Sequence, residues 1–316
     1  MIAREQVFLP AIAMEVVHGL TKSPKSLPPW LFYDAEGSAL FEQITALPEY
    51  YLTRTERRIL EDNADEMCRL AGGNLTVVEL GAGTADKTRI LLRKLLQRQM
   101  RVVYVPVDVS GAALEAADQR LRRELPEVVV EPVVADYTME RLNLGKGAKL
   151  VLYLGSSIGN FEPHQAARLL SQVRTGLKPG DSLLLGTDRI KPADVLLPAY
   201  NDAAGVTERF NRNMLARINR ELGGRFDLDA FRHIAEWNEA RSRIEIYLES
   251  LRRQSVAIDL LGLTIHFAVG ERIHTENSYK YRDDSVREML ATAGFGVERT
   301  FSDEQGWFSL HLASVR

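Results

Sequence analysis

Val77-Val78-Glu79-Leu80-Gly81-Ala82-Gly83-Thr84-Ala85-Asp86-Lys87 is the stretch on which the reading of the chain turns. An apolar run enters two glycines spaced by one alanine, where a strand gives way to a helix. Glycines at such a turn remove side-chain bulk and let a ligand press against the backbone, and a nucleoside is the usual guest. Glycine turns also serve plain packing, so the motif alone proposes a nucleoside site and no more.

Outward from this turn, short apolar runs alternate with helical patterns. The runs are Thr76–Leu80, Val102–Val107, Val128–Val134, Leu150–Leu154 and Ser182–Leu185, and their alternation with helices implies a parallel sheet. Leu114, Ala117, Leu121 and Leu125 share one helical face, and Leu169, Leu170, Val173 and Leu177 share another, with Ser110 and Pro163 as helix starts. After Asp188 the rhythm stops. A long helix is expected over Ala203–Leu222, striped by Phe210, Met214, Ile218 and Leu222, and a half-buried antiparallel strand over Arg243–Ser250, where Ile244, Ile246 and Leu248 alternate with Glu245, Tyr247 and Glu249. Further strands are expected near Ser255–Asp259 and Thr264–Ala268. A helix over Asp284–Ala293, a Gly294-Phe295-Gly296 turn and two extended segments, Val297–Phe301 and Trp307–Val315, return to complete the first sheet. The expectation is an α/β core interrupted by an α+β insertion, with no internal repeat.

Composition narrows the function classes. The chain has 316 residues, 45% hydrophobic and 26% charged, and Lys+Arg 40 against Asp+Glu 43 leaves a net charge of −3, which provides no polyelectrolyte-binding surface and argues against nucleic acid as a partner. The single cysteine, Cys68, lies in the helical stretch Arg54–Leu70, so neither a disulfide framework nor a cysteine metal site is available, and no H-x-x-x-H pair suggests zinc. No metal is expected. The apolar run Val7–Val17 is interrupted by Pro10 and Glu15 and is too short for a bilayer. A cytoplasmic chain without a membrane partner is the expectation.

Asp108 ends the second strand, where a carboxylate can accept both ribose hydroxyl hydrogens in dinucleotide and S-adenosylmethionine sites alike. Ala85-Asp86 at the third glycine position disfavours a pyrophosphate, because the carboxylate would compete for the same helix N-terminal amides, whereas a donor without phosphates meets no such conflict. Asp136-Tyr137 could hydrogen-bond an adenine amino group and cover its ring, although an aspartate at a strand end is often a turn residue. A rival motif follows the fourth strand: Gly155-Ser156-Ser157-Ile158-Gly159 matches a nucleophile elbow. A hydrolase would also need a general-base histidine near the elbow. His18 and His164 lie too early or too close, His266 and His311 fall inside expected strands, and His233 and His274 lie in the insertion, where triad order is hard to realise.

Several separate motifs then carry a resemblance. They are Trp30-Leu31-Phe32-Tyr33-Asp34-Ala35-Glu36-Gly37-Ser38, Leu47-Pro48-Glu49-Tyr50-Tyr51-Leu52-Thr53-Arg54-Thr55-Glu56, the glycine turn with Lys87, Gly159-Asn160-Phe161, Asn201-Asp202-Ala203-Ala204-Gly205-Val206-Thr207 and Thr275-Glu276-Asn277-Ser278. Almost end to end, the chain resembles the histidine Nα-methyltransferases of ergothioneine biosynthesis. The resemblance implies a class I S-adenosylmethionine methyltransferase core, Rossmann-like, mostly parallel with a C-terminal antiparallel hairpin, over residues 56–189 and 281–316. It implies an amino-acid-binding α+β domain over 14–55 and 190–280, a monomer, and trimethylation of L-histidine to hercynine.

Roles by position are implied too. Gly81, Lys87, Asp108, Asp136 and Tyr137 correspond to donor-binding positions, with Tyr33 reaching the donor and the reacting centre. Tyr50, Asn160 and Tyr200 correspond to positions holding the α-amine and carboxylate, and Glu276 and Ser278 to those contacting the imidazole; Tyr33, Tyr50 and Asn160 are the catalytic set. Asn160 follows the fourth strand, at the carboxyl edge of the sheet where open α/β folds bind ligands. At the strand position where the resemblance implies a methionine beside the imidazole, this chain has Ile246. An Nα-methyltransferase of another aromatic amino acid such as tryptophan, and a non-catalytic nucleoside or amino-acid binding protein, stand as alternatives.

Overall fold

A computed structural model describes residues 2–138 and 147–316, with the backbone alone over residues 2–9. The alternation beginning at Leu75 builds one eight-stranded sheet. Its order is Phe295–Ser302, Phe308–Val315, Ser182–Asp188, Ala148–Tyr153, Leu75–Leu80, Val102–Asp108 and Val128–Val130, with Val133–Val134 also paired to the sixth of these. Neighbours from Ser182–Asp188 to Val128–Val130 are parallel, while Phe308–Val315 runs antiparallel to Ser182–Asp188 and to Phe295–Ser302. The expected mostly parallel sheet with an antiparallel end is present. Val128–Val134 is not one strand but two, because Pro132 between them has no N–H for a ladder. The expected turn Gly294-Phe295-Gly296 shrinks to Gly294 alone: Phe295, fully buried, already begins the strand.

Successive side chains of the strands enter opposite cores, so the sheet is covered twice. Val77, Tyr104, Leu152 and Leu184 pack with Ile59, Met67, Leu91 and Leu121 of the helices Tyr51–Ala71, Thr88–Leu96 and Gly111–Glu124. Val78, Val105, Val151 and Leu183 pack instead with Leu169, Leu170, Val286 and Leu290 of Pro163–Thr175 and Asp283–Thr292. Ser110 caps Gly111–Glu124, its hydroxyl accepting from Ala113 N at 3.2 Å, and Pro163 opens its helix as expected. From Leu75–Leu80 the chain winds to Val102–Asp108 and onward, then reverses to Ala148–Tyr153 on the other side. The switch in strand order therefore falls between Leu75–Leu80 and Ala148–Tyr153, where such sheets open a crevice at their carboxyl ends.

The chain divides into two compact units, Met1–Tyr50 with Pro192–Ser278, and Tyr51–Lys191 with Tyr279–Arg316. The second unit carries the sheet just described. A buried charge cluster also lies in it: Lys191 Nζ and Lys280 Nζ both pair with Asp188, which accepts from Tyr51 Oη at 2.8 Å, and Ser156 Oγ accepts from Asp188 N at 2.8 Å. Two buried ammonium groups share one carboxylate. Burial pushes Lys191 down to about 8, against the attraction of Asp188.

The first unit opens with a helix, Ile2–Thr21, that continues through Pro10 rather than stopping there, and no described helix is long and apolar enough to cross a membrane. Its long helix spans Val206–Leu222, not Ala203–Leu222, because Asp202 turns back to accept from Val206 N at 2.9 Å and Thr207 N at 2.8 Å, capping the first turn. Arg243–Ser250 lies between Phe231–Asn238, its antiparallel neighbour, and Arg272–Tyr279, with Lys25–Ser26 at the edge. Gln254–Ile258 and Leu263–Phe267 form a separate antiparallel pair.

Candidate active site

In the second unit the glycine turn leaves the carboxyl end of Leu75–Leu80 and is tied to the neighbouring strand. Gly81 N and Ala82 N donate to the Val107 carbonyl at 2.8 and 3.2 Å, and Gly83 N donates to Asp108 Oδ2 at 3.0 Å. Gly83 has φ of +51°, and a Cβ built there would meet nothing within 4 Å; the left-handed backbone, not crowding, is what asks for glycine. Asp108 Oδ1 accepts from Ser110 N at 2.8 Å, and a carboxylate has lone pairs beyond these two bonds for further donors. Burial raises its pKa, with the backbone N–H groups of Ser110 and Gly83 pulling the other way.

Asp136 follows Val133–Val134 and accepts from Thr138 N at 2.9 Å and Thr138 Oγ1 at 2.6 Å. Tyr137 packs edge-to-face on Tyr153 at 5.7 Å, and its hydroxyl lies 3.5 Å from the Cβ that Gly81 lacks. Burial pushes Tyr137 up to about 12, so it stays a phenol. Asn160 closes the 3-10 turn Ser157–Asn160 beyond Ala148–Tyr153, the strand beside the glycine turn's own.

Lys87, Glu79 and Asp86 flank the turn. Lys87 pairs with Glu56, which has no exposed surface and whose Oε1 accepts from Gly155 N at 2.8 Å. Glu56 can sit there because Gly186 has no Cβ, which would otherwise lie 2.3 Å from Oε1. Asp86 is ion-paired to Arg57, to Arg89 at 3.0 Å and to Arg120 at 3.4 Å; against its burial, these guanidinium groups, Arg57 foremost, hold it below the usual carboxylate range. Burial pushes Glu79 up to about 7, although Tyr104 Oη donates to it.

The remaining candidates lie in the first unit, and a run of aromatic contacts joins three of them. Tyr33 packs edge-to-face on Phe41 at 5.8 Å and on Phe210 at 5.7 Å; Phe41 meets Tyr50 at 6.3 Å, and Tyr50 meets Tyr200 at 6.5 Å. Tyr200 Oη lies 2.8 Å from Ser278 Oγ. Glu276 is half-buried on Arg272–Tyr279, and buried Ile246 on Arg243–Ser250 has its carbonyl bonded by Thr275 Oγ1 at 3.1 Å. His274 Nε2 lies 2.9 Å from Asn277 Oδ1, three residues along; a regular strand sends such residues to opposite faces, so the alternation is interrupted just ahead of Ser278.

The elbow motif dissolves. Ser157 Oγ donates to the Leu154 carbonyl at 3.3 Å, and the left-handed residues are Gly155 and Ser156, at φ of +75° and +59°. His233, His266, His274 and His311 are bonded to Tyr200 and Asn211, to Ser255, to Asn277, and to Thr187 and Thr300 respectively. Glu56, Phe41, Asn211 and His233 are the contributors that periodicity did not single out. A buried carboxylate with a lysine 31 residues away leaves no trace in a spacing pattern.

A family model described as "Histidine-specific methyltransferase, SAM-dependent" matches residues 12–315. The chain belongs to that family. Among relatives of this histidine-specific methyltransferase, the histidine N-alpha-methyltransferase of Mycolicibacterium smegmatis is 46% identical over 307 residues, covering 96% of this chain and 94% of that protein. The 4-dimethylallyltryptophan N-methyltransferase of Epichloe festucae var. lolii is 30% identical over 329 residues, covering 95% and 94%. The solved structure of the PH0226 protein from Pyrococcus horikoshii OT3 shares the fold with a TM-score of 0.50 at 18% identity, covering 87% of this chain and 99% of that one. The protein is a class I, S-adenosylmethionine-dependent amino-acid N-methyltransferase.

Proposed function

We propose that this methyltransferase moves three methyl groups in succession from S-adenosylmethionine to the α-nitrogen of L-histidine, giving hercynine for ergothioneine biosynthesis. The observation carrying the reading is the switch in strand order between Leu75–Leu80 and Ala148–Tyr153: the glycine turn and Asn160 leave the carboxyl ends of those two adjacent strands. In this reading Gly81, Lys87, Asp108, Asp136, Tyr137 and Tyr33 serve the donor. Tyr50, Asn160, Tyr200, Ile246, Glu276 and Ser278 serve the amino acid, which makes Met1–Tyr50 with Pro192–Ser278 the amino-acid-binding unit.

The residues fit a donor without phosphates. The turn beside Gly83 is open, and Asp108 has lone pairs for ribose hydroxyl groups beyond its two backbone bonds. Lys87 has N–H donors beyond its bond to Glu56 for the donor's carboxylate.

S-adenosylmethionine supplies an already electrophilic methyl group, so the chain's contribution is mainly position. In this reading Asn160 and Tyr50 orient the α-nitrogen with its lone pair forward, Tyr33 serves the reacting centre, and Tyr200 anchors the carboxylate. An ammonium cannot attack, so a proton leaves the nitrogen before each transfer that starts from a protonated amine, passing through these hydroxyl groups to water. Glu276 accepts from the imidazole N–H. An apolar side chain could not make this bond, and a site built to hydrogen-bond one side chain can reject an analogue lacking the matching group by roughly 10⁴-fold in rate ratio.

A second reading, methylation of an indole amino acid, is favoured by one observation: buried Ile246 in the position where a methionine was expected. Product identity separates the two. The proposal also includes a cytoplasmic monomer, for which sedimentation is the check. The acceptor assignment is tested by Asn160→Ala, which should lower histidine turnover by about 100-fold while S-adenosylmethionine still binds; unchanged turnover would overturn it.

A further inference from the structure

Tyr200 is held at both its ends. Its hydroxyl lies 2.8 Å from Ser278 Oγ, and its carbonyl oxygen lies 2.8 Å from His233 Nε2. A backbone carbonyl can only accept, so His233 Nε2 carries the proton and Nδ1 is the acceptor. Nδ1 then takes a hydrogen from Asn211 Nδ2 at 2.9 Å, and the other hydrogen of that amide goes to the Tyr247 carbonyl at 3.0 Å. Turning the Asn211 amide over would set its oxygen against the Tyr247 carbonyl and against the lone pair of Nδ1. The tautomer of His233 and the orientation of the Asn211 amide are thus each set by a backbone carbonyl, which can only accept.

The elements involved are of unequal rigidity. His233 stands on Phe231–Asn238, opposite Leu248 in the register with Arg243–Ser250, and Asn211 is buried on the helix Val206–Leu222. Tyr200, by contrast, ends a four-residue 3-10 turn, Leu197–Tyr200, outside the sheets. Such a turn has little hydrogen bonding of its own to fix where its last residue sits. The sheet and the long helix supply it through His233.

We propose that His233, oriented by Asn211, is a positioning residue for amino-acid binding: it fixes the main chain at Tyr200 and thereby aims the Tyr200 hydroxyl, with Ser278, at the substrate. The inference rests on the reading of Tyr200 as a substrate contact. The ring suits this role because burial lowers its pKa, with Arg212 acting in the same direction against the Tyr200 carbonyl and the charges of Glu208 and Asp202. The neutral form keeps the Nδ1 lone pair that Asn211 needs.

Two substitutions separate the halves of the ring. His233→Gln reproduces the Nε2 donor toward Tyr200, whereas the shorter side chain of His233→Asn retains a polar atom near the Nδ1 position but cannot reach the carbonyl. Steady-state kinetics on the full chain, varying histidine and S-adenosylmethionine separately, should show His233→Asn raising KM for histidine on the order of tenfold, with KM for the donor within about twofold. His233→Gln should restore most of that loss. Equal effects of both variants on histidine KM, or a proportional fall in kcat with no change in histidine KM, would overturn the proposal, because a merely structural role would reduce the active fraction instead. Tyr200→Phe is measured alongside. If it leaves histidine KM unchanged, the substrate role of Tyr200 fails and this inference with it; if it raises KM and His233→Asn does not, this inference alone fails.

Discussion

Replacing Glu79 with glutamine removes a titrating group from the floor of the glycine turn while keeping its shape and its bond to Tyr104. Glu79 is almost fully buried, and burial raises its pKa from 4.5 to about 7, with the Glu56 charge pushing the same way and Tyr104 and Lys87 opposing. Because the folded state holds this proton more tightly than the unfolded chain, its contribution to stability is complete below about pH 4.5 and is lost as pH rises through about 7. A shift of that size corresponds to roughly 3 kcal/mol in total, of which about 2 to 3 kcal/mol disappears between about pH 5 and pH 8. The glutamine variant has nothing to lose there. Urea denaturation of both proteins at several pH values across that interval reads the difference directly, since all other titrating groups are common to the pair. Wild-type stability should fall relative to Glu79→Gln as pH rises, and parallel stability curves for the two proteins would refute the reasoning.

Two further outcomes follow from the same structure. Asp188→Asn leaves the buried Lys191 and Lys280 without their shared counter-charge and should cost about 3 to 5 kcal/mol in denaturation, part of which Asp188→Asn/Lys280→Met recovers by removing one of the stranded cations; no recovery would show that the charge balance is not what matters. Glu276→Ala should lower the preference for histidine over an apolar amino acid of similar size by roughly tenfold or more in kcat/KM, with donor affinity retained in a calorimetric titration.

The parallel core of the sheet was legible because Leu75–Leu80, Val102–Asp108 and Ala148–Tyr153 are each followed by a helix of 3.6 periodicity, and the switch point follows from strand order. Where the pattern misled, the cause is local. Glu131-Pro132 splits the valines of this stretch, and it is the proline's missing N–H that ends the ladder. Phe231–Asn238 shows no alternation because Arg232, His233 and Glu236 on it are polar and engaged: Arg232 with Glu249, His233 with Tyr200, and Glu236 with Arg272. Sequence neighbours alone set Asp86 against a pyrophosphate, but the arginines that hold it ionised come from three different helices. Lys87 is assigned to the donor only by resemblance, and its bond to the buried Glu56 was not legible at all. Tyr33, Tyr50 and Tyr200 are joined by ring contacts through Phe41, which no spacing rule connects across so long a stretch of chain.

The central claim is the transfer of methyl groups to the α-nitrogen of histidine. Incubating the full chain with S-adenosylmethionine carrying an isotopically labelled methyl group, and with histidine or tryptophan in turn, then weighing the products by mass spectrometry, tests it most directly. Labelled mono-, di- and trimethylated histidine is the expected outcome, with the trimethylated betaine accumulating and fragment masses placing every label on the α-nitrogen. Label on the imidazole, preferential methylation of tryptophan, or no labelled amino acid at all would contradict it.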